Sequence, residues 1–122
     1  SIAINASGGG LTWTVITGVA QAAANNNGYI CNNAGTVVVT LPATSAVGDI
    51  VAVTGINNIA GWKIAQGDAG NTIYYGNIAT TTGITGYLSS TATRDTVHLL
   101  CVVDGAGSKW NVISSIGTFT IF

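Results

Sequence analysis

The sequence predicts an all-β domain, and three observations carry that prediction. Apolar and polar residues alternate with period two along short segments, as where Leu11, Trp13 and Val15 are set against Thr12 and Thr14. Clusters of Gly, Asn and Asp separate these segments at the spacing of turns between short strands. The one stretch with helical leaning, residues 20–24, is too short to hold a helix unaided and runs into Asn25, Asn26, Asn27 and Gly28, so one or two turns are expected there. The architecture expected is an antiparallel β-sandwich or barrel-like domain of about 8 to 10 short strands.

In chain order, residues 1–10 read as a flexible N-terminal arm and residues 11–122 as a single β-domain. Strands are expected over residues 11–15, 28–32, 37–41, 49–56, 62–65, 72–76, 87–91, 96–104, 109–114 and 118–122. Residues 37–53, VVVTLPATSAVGDIVAV, read as a wide hairpin. Pro42 has no N–H to give a ladder and ends the first strand, and Gly48 with Asp49 turns the chain into the second. The Thr-, Ser- and Gly-rich residues 80–93 read as a loop holding one short strand, and no repeat of solenoid length is visible.

Three runs are apolar on both faces: Val37 to Val39, Val51 to Val53, and Leu99 to Val103. Strands of that kind are covered on both sides. A small domain covers one face of each sheet with its own core, so the second cover is expected from other copies of the chain, in a cyclic homo-oligomer. Val38, Val51, Val53, Leu100, Val102, Phe119 and Phe122 are the candidate interface residues. Composition points the same way, since 48% of residues are hydrophobic and only 6% charged, against roughly 25% charged in an ordinary soluble domain.

Other partners fit poorly. A net charge of −1 with three basic side chains gives no cationic footprint for nucleic acid. No apolar run approaches the ~18 residues of a spanning helix. In the closing strand Thr118 and Thr120 share the face of Phe122, unlike a lipid-facing strand, so membrane insertion is not expected.

Cys31 and Cys101 leave two readings open: a bridge closing a loop of about 70 residues, worth roughly 4 kcal/mol and pointing to an oxidising setting, or two buried thiols acting as small apolar groups. Asn5-Ala6-Ser7 matches a glycosylation acceptor, a pattern common by chance.

The titratable side chains outside Tyr and Cys are Asp49, Asp68, Asp95, Asp104, His98, Lys63, Lys109 and Arg94. Acid–base catalysis needs two such groups brought together, and no local spacing does so. His98 lies in a strand beside Leu100 and Val102 and reads as a structural or interface histidine. No nucleophile elbow, phosphate loop or metal-ligand spacing is present, so no catalytic residue, no metal and no cofactor is expected. Residues 67–71 and 104–108 carry Asp and Gly as hairpin turns do, and too few carboxylates for calcium. Trp13, Trp62 and Trp110 alternate in phase with aliphatic residues and read as core. Tyr74, Tyr75 and Tyr87, near Asn71 and Asn77, are candidate contacts for a cell-surface glycan or another host receptor, because flat aromatic faces beside amides suit sugars.

Gly28-Tyr29-Ile30, Leu41-Pro42-Ala43-Thr44, Val47-Gly48-Asp49 and Gly61-Trp62-Lys63-Ile64-Ala65-Gln66 form the first part of a recognisable pattern. Asp95-Thr96-Val97 with Cys101, residues 110–115 and residues 117–121 complete it. Over residues 11–121 the chain resembles the β-rich terminal modules of bacteriophage tail fibres and of collagen-like or other stalked bacterial surface proteins. The resemblance implies a homo-oligomeric display module, with a trimer as the expected form, located outside the cell or on a virion. Its motifs are structural, so it assigns no functional residue. No stalk or collagen-like repeat stands in the sequence, which keeps a self-assembling filament subunit as the alternative to a fibre tip and a lectin-like module as a further one.

Overall fold

The computed structural model describes residues 10–57 and 60–122. The N-terminal arm, apart from Gly10, and the Asn5 sequon lie outside the described residues. Fourteen strands are present among the described residues, more than the 8 to 10 expected, because several are only two or three residues long: β1 (Thr12–Ile16), β2 (Ala20–Ala22), β3 (Asn27–Cys31), β4 (Val37–Thr40), β5 (Thr44–Ser45), β6 (Ile50–Gly55) and β7 (Trp62–Ala65) in the first half. The second half holds β8 (Thr72–Tyr75), β9 (Ile78–Ala79), β10 (Tyr87–Ser90), β11 (Thr96–Val103), β12 (Gly105–Ala106), β13 (Lys109–Ile116) and β14 (Phe119–Ile121). They form a seven-stranded sheet in the order β9-β8-β13-β11-β6-β3-β1, a five-stranded sheet in the order β14-β10-β7-β4-β2, and a two-stranded ribbon of β12 and β5.

The all-β expectation holds, and the purely antiparallel one does not. In its first half the chain alternates between the two large sheets, and each strand lies parallel to its predecessor in the same sheet: β1 beside β3 beside β6, and β2 beside β4 beside β7. The result is three stacked rungs. Thr12 sits beside Asn27, and Asn27 beside Val51, so successive rungs use unequal lengths of chain. That inequality hides the repeat from the sequence. The second half closes the stack with antiparallel strands: β11 on β6, β13 on β11, β10 on β7 and β14 on β10. Read from the first rung, each sheet therefore has five strands, from β1 to β13 and from β2 to β14, with the β8–β9 hairpin added beyond β13.

Three local expectations change accordingly. Residues 37–53 are not a hairpin, because β4 and β6 belong to different sheets and the Pro42 corner carries the chain between them. Residues 20–24 hold the strand β2 and not a helical turn, since pairing with β4 satisfies the backbone better than an isolated turn could. Residues 67–71 likewise cross between sheets and are not a hairpin turn. Gly70 there touches the 104–108 turn so closely that a Cβ would fall 2.5 Å from the Gly107 Cα.

The core lies between the two large sheets. Tyr29, Val51, Val53, Ile73, Val97, Leu99 and Trp110 from one meet Val37, Val39, Trp62, Ile64 and Leu88 from the other, nearly all without exposed surface. Full burial of each large side chain contributes about 1.5–3 kcal/mol. Fully buried Gln66 ties the far loops together. Its amide donates to the carbonyls of Asn71, Thr81 and Gly83 and accepts from the Thr80 hydroxyl.

Val51 and Val53 are thus core residues and not interface residues, as their parity with Tyr29 requires. No bridge joins Cys31 and Cys101, which are both buried and free. Cys31 is level with Gly55, whereas Cys101 bonds through its N–H to Asp49, so the length of β6 separates them. At the usual strand rise that is roughly 20 Å, far beyond the ~7 Å limit for bridging.

Candidate assembly surface

The outer face of the seven-stranded sheet follows from strand parity. With Tyr29, Val51, Val53, Val97 and Leu99 pointing inward, their neighbours point out. One row across the sheet reads Val15, Ile30, Thr54, Thr96, Ile116, and the next Trp13, Gly28, Ala52, His98, Ser114. A third runs from Ile50 through Leu100 and Asn111 to Tyr74. These rows hold no Lys, Arg, Asp or Glu. Val15 is 49% exposed and Ile116 70%, so the face is apolar and wetted in a single copy.

Trp13 is the main departure from the expected core. Its partner is Gly28, and the missing side chain there is what the indole occupies: a Cβ on Gly28 would fall 2.5 Å from the ring. The ring also meets His98 edge-on at 6.2 Å. Ala52, next in the row, is fully buried although it points outward. The face of β1 that carries Trp13 and Val15 therefore points away from the core, because Thr14 and Ile16 align with inward Tyr29 and Cys31. The signal that could have placed Trp13 was its fifteen-residue offset from a glycine in an adjacent strand, which becomes meaningful only when the parallel register is known.

The other interface candidates divide. Leu100 and Val102 are half-buried and lie on this outer face, by parity with Leu99 and Cys101. Val38 and Phe122 lie on the opposite side, on the outer face of the five-stranded sheet, where Phe122 stacks on Tyr87 at 5.1 Å and Lys63 covers Tyr87 at 4.1 Å. Phe119 points between the sheets and packs on Trp62 at 5.8 Å and Tyr75 at 6.0 Å.

The glycan candidates do not gather. Tyr74 faces outward on the seven-stranded sheet, Tyr75 faces inward with its hydroxyl 3.0 Å from Ser115 Oγ, and Tyr87 faces outward on the other sheet. Asn71 is fully buried, its amide donating to the carbonyls of Pro42 and Gln66, so it is a loop brace and not a surface contact. Asn77 is exposed in the turn between β8 and β9.

The carboxylates with the most contacts are engaged in local structure. Asp49 accepts from the Ala46 N–H and the Asn26 amide, and Asp95 from the N–H groups of Thr91 and Ala92. Lys109 donates to the Gly70 carbonyl at 2.6 Å. Among the described residues no group of three His, Cys, Asp or Glu side chains is placed to hold a metal ion. Burial pushes the Cys31 thiol up to about 12 and raises that of Cys101 as well, so neither is a thiolate at neutral pH.

Compared with family models and with curated proteins, the chain matches none.

Proposed function

We propose that the protein is a structural module of an extracellular fibre or virion appendage. It works as a homo-oligomer, with a trimer as the expected form, and presents its loops to a host or surface receptor. The observation that carries this reading is the uncharged outer face of the seven-stranded sheet, on which Val15 and Ile116 are exposed and Ile30 and Leu100 half-buried. Wetted apolar side chains gathered on one uncharged face mark sites of protein association. Scarcity of charge over the whole chain favours the same reading, since its surface has few groups that oppose self-contact.

Light scattering after size-exclusion chromatography tests it. The wild-type protein should elute as a discrete oligomer at micromolar concentration. At that concentration Leu100→Lys should elute as a 12.2 kDa chain with an unchanged far-UV spectrum. A wild-type protein that is folded and monomeric at tens of micromolar would remove the support for this function.

A further inference from the structure

We infer that copies of this chain stack head to tail, the first rung of one copy adding to both sheets at the far end of the next. This goes beyond sideways association through the outer face and concerns the two ends of the stack, which are complementary in three respects.

Direction is the first. β13 runs parallel to β1, because two antiparallel steps separate β6 from it, and β14 runs parallel to β2 for the same reason. A copy displaced along the stacking axis therefore offers its first rung in the orientation that the rungs inside the chain already use.

Length is the second. Pairing of β13 with β8 stops at Asn111 beside Tyr74, after which β8 turns away through Gly76. Among the described residues that leaves five residues of β13, from Val112 to Ile116, with a strand neighbour on one side only, and the three residues of β14 have β10 alone. The first rung brings five residues in β1 and three in β2, each paired on one side only among the described residues.

The third is unmet pairing and cover. Thr12 and Ile16 direct their backbone groups to β3, so Trp13 and Val15 direct theirs to the open side. At the far end Phe122 bonds Tyr87, so Phe119 and Ile121 face the open side. Val112, Phe119 and Ile121 are only partly covered at that end of the core. Beside them Tyr75, Gly76 and residues 112–115 line a cavity of about 330 Å³ that an incoming strand's side chains would enter. A second copy of the chain satisfies all three conditions together, and a contact that joins two different surfaces repeats without closing.

Proline at position 15 removes one open-side N–H and leaves the ladder to β3 intact, a placement edge strands tolerate. The head variant is Val15→Pro and the tail variant Ile113→Lys, at an exposed residue of the open β13 run. Val15→Lys and Ile121→Pro repeat each block by different chemistry, and circular dichroism verifies folding of every variant. In multi-angle light scattering at concentrations above those at which the sideways oligomer forms, the wild type should grow in mass with concentration and each variant alone should not. Mixing head and tail variants should double the mass of either, because one intact head meets one intact tail. Growth of folded Val15→Pro and Val15→Lys to wild-type size, or no gain on mixing, would overturn the inference. So would loss of wild-type growth on removing residues 1–9, which would assign the open end to that segment. Doubling from a monomeric starting mass would uphold stacking while refuting sideways association.

Discussion

Gln66→Leu isolates the energetic weight of the polar hub under the far loops. The side chain is fully buried, and its amide nitrogen lies 2.7 Å from the Asn71 carbonyl and 2.8 Å from those of Thr81 and Gly83. Two of those carbonyls keep another donor, since Gly83 N–H reaches Asn71 O at 3.0 Å and Gly86 N–H reaches Gly83 O at 3.2 Å. Thr81 O keeps none. One orphaned carbonyl costs about 1–3 kcal/mol, and two weakened ones add about 1 kcal/mol together, so the expected loss is about 3 kcal/mol of a total on the order of 10. Urea denaturation followed by tryptophan fluorescence reads it directly, because Trp62 and Trp110 are buried. The midpoint should fall by roughly 2 M, and the melting temperature by roughly 10 °C. Gln21→Leu is the control: among the described residues the half-buried Gln21 side chain donates only to its neighbour's carbonyl, through a solvent-exposed bond, and its loss should stay within about 0.5 kcal/mol. A Gln66→Leu protein within about 1 kcal/mol of wild type would refute the reasoning.

The two buried tryptophans and the two thiols give further tests. Trp62 Nε1 donates to the Asp95 carbonyl at 2.9 Å, whereas Trp110 Nε1 is buried and has no partner among the described residues. Trp62→Phe should therefore destabilise more than Trp110→Phe, by about 1–3 kcal/mol, and equal losses in parallel urea titrations would contradict the contrast. Cys31 has a folded-state pKa raised from 9.0 to about 12 by burial. Stability from keeping that thiol neutral is complete below pH 9 and is lost as pH rises from 9 toward 12, at up to ~1.4 kcal/mol per pH unit. Unfolding free energies measured across that window should fall less steeply for Cys31→Ala, and parallel slopes would count against the assignment.

Strand existence was legible where the segments were long. Each expected strand overlaps one in the structure, because period two over four or more residues is a strong local signal. β2, β5, β9 and β12 have two or three residues and no measurable period, so only their partners define them. Pairing direction was harder to read, since alternation is the same in parallel and antiparallel strands. The clue was the continuous run Val37 to Val39, which marks strands covered on both faces in parallel sheets. Its counterpart Val51 to Val53 lies between parallel β3 and antiparallel β11, with both valines facing the core and Ala52 fully buried on the outer side between Gly28 and His98. The outward turn of Trp13 depended on the register with Gly28, and the division of the tyrosines between faces depended on which sheet each strand joins. Neither is a local property of sequence.

The separation of Cys31 from Cys101 has a wider consequence. A fold held shut by packing and ladders, with no covalent clamp, asks nothing of an oxidant. Glutathione-rich surroundings and open air impose the same folding problem on it, so newly made copies can reach their final shape as readily in the one as in the other.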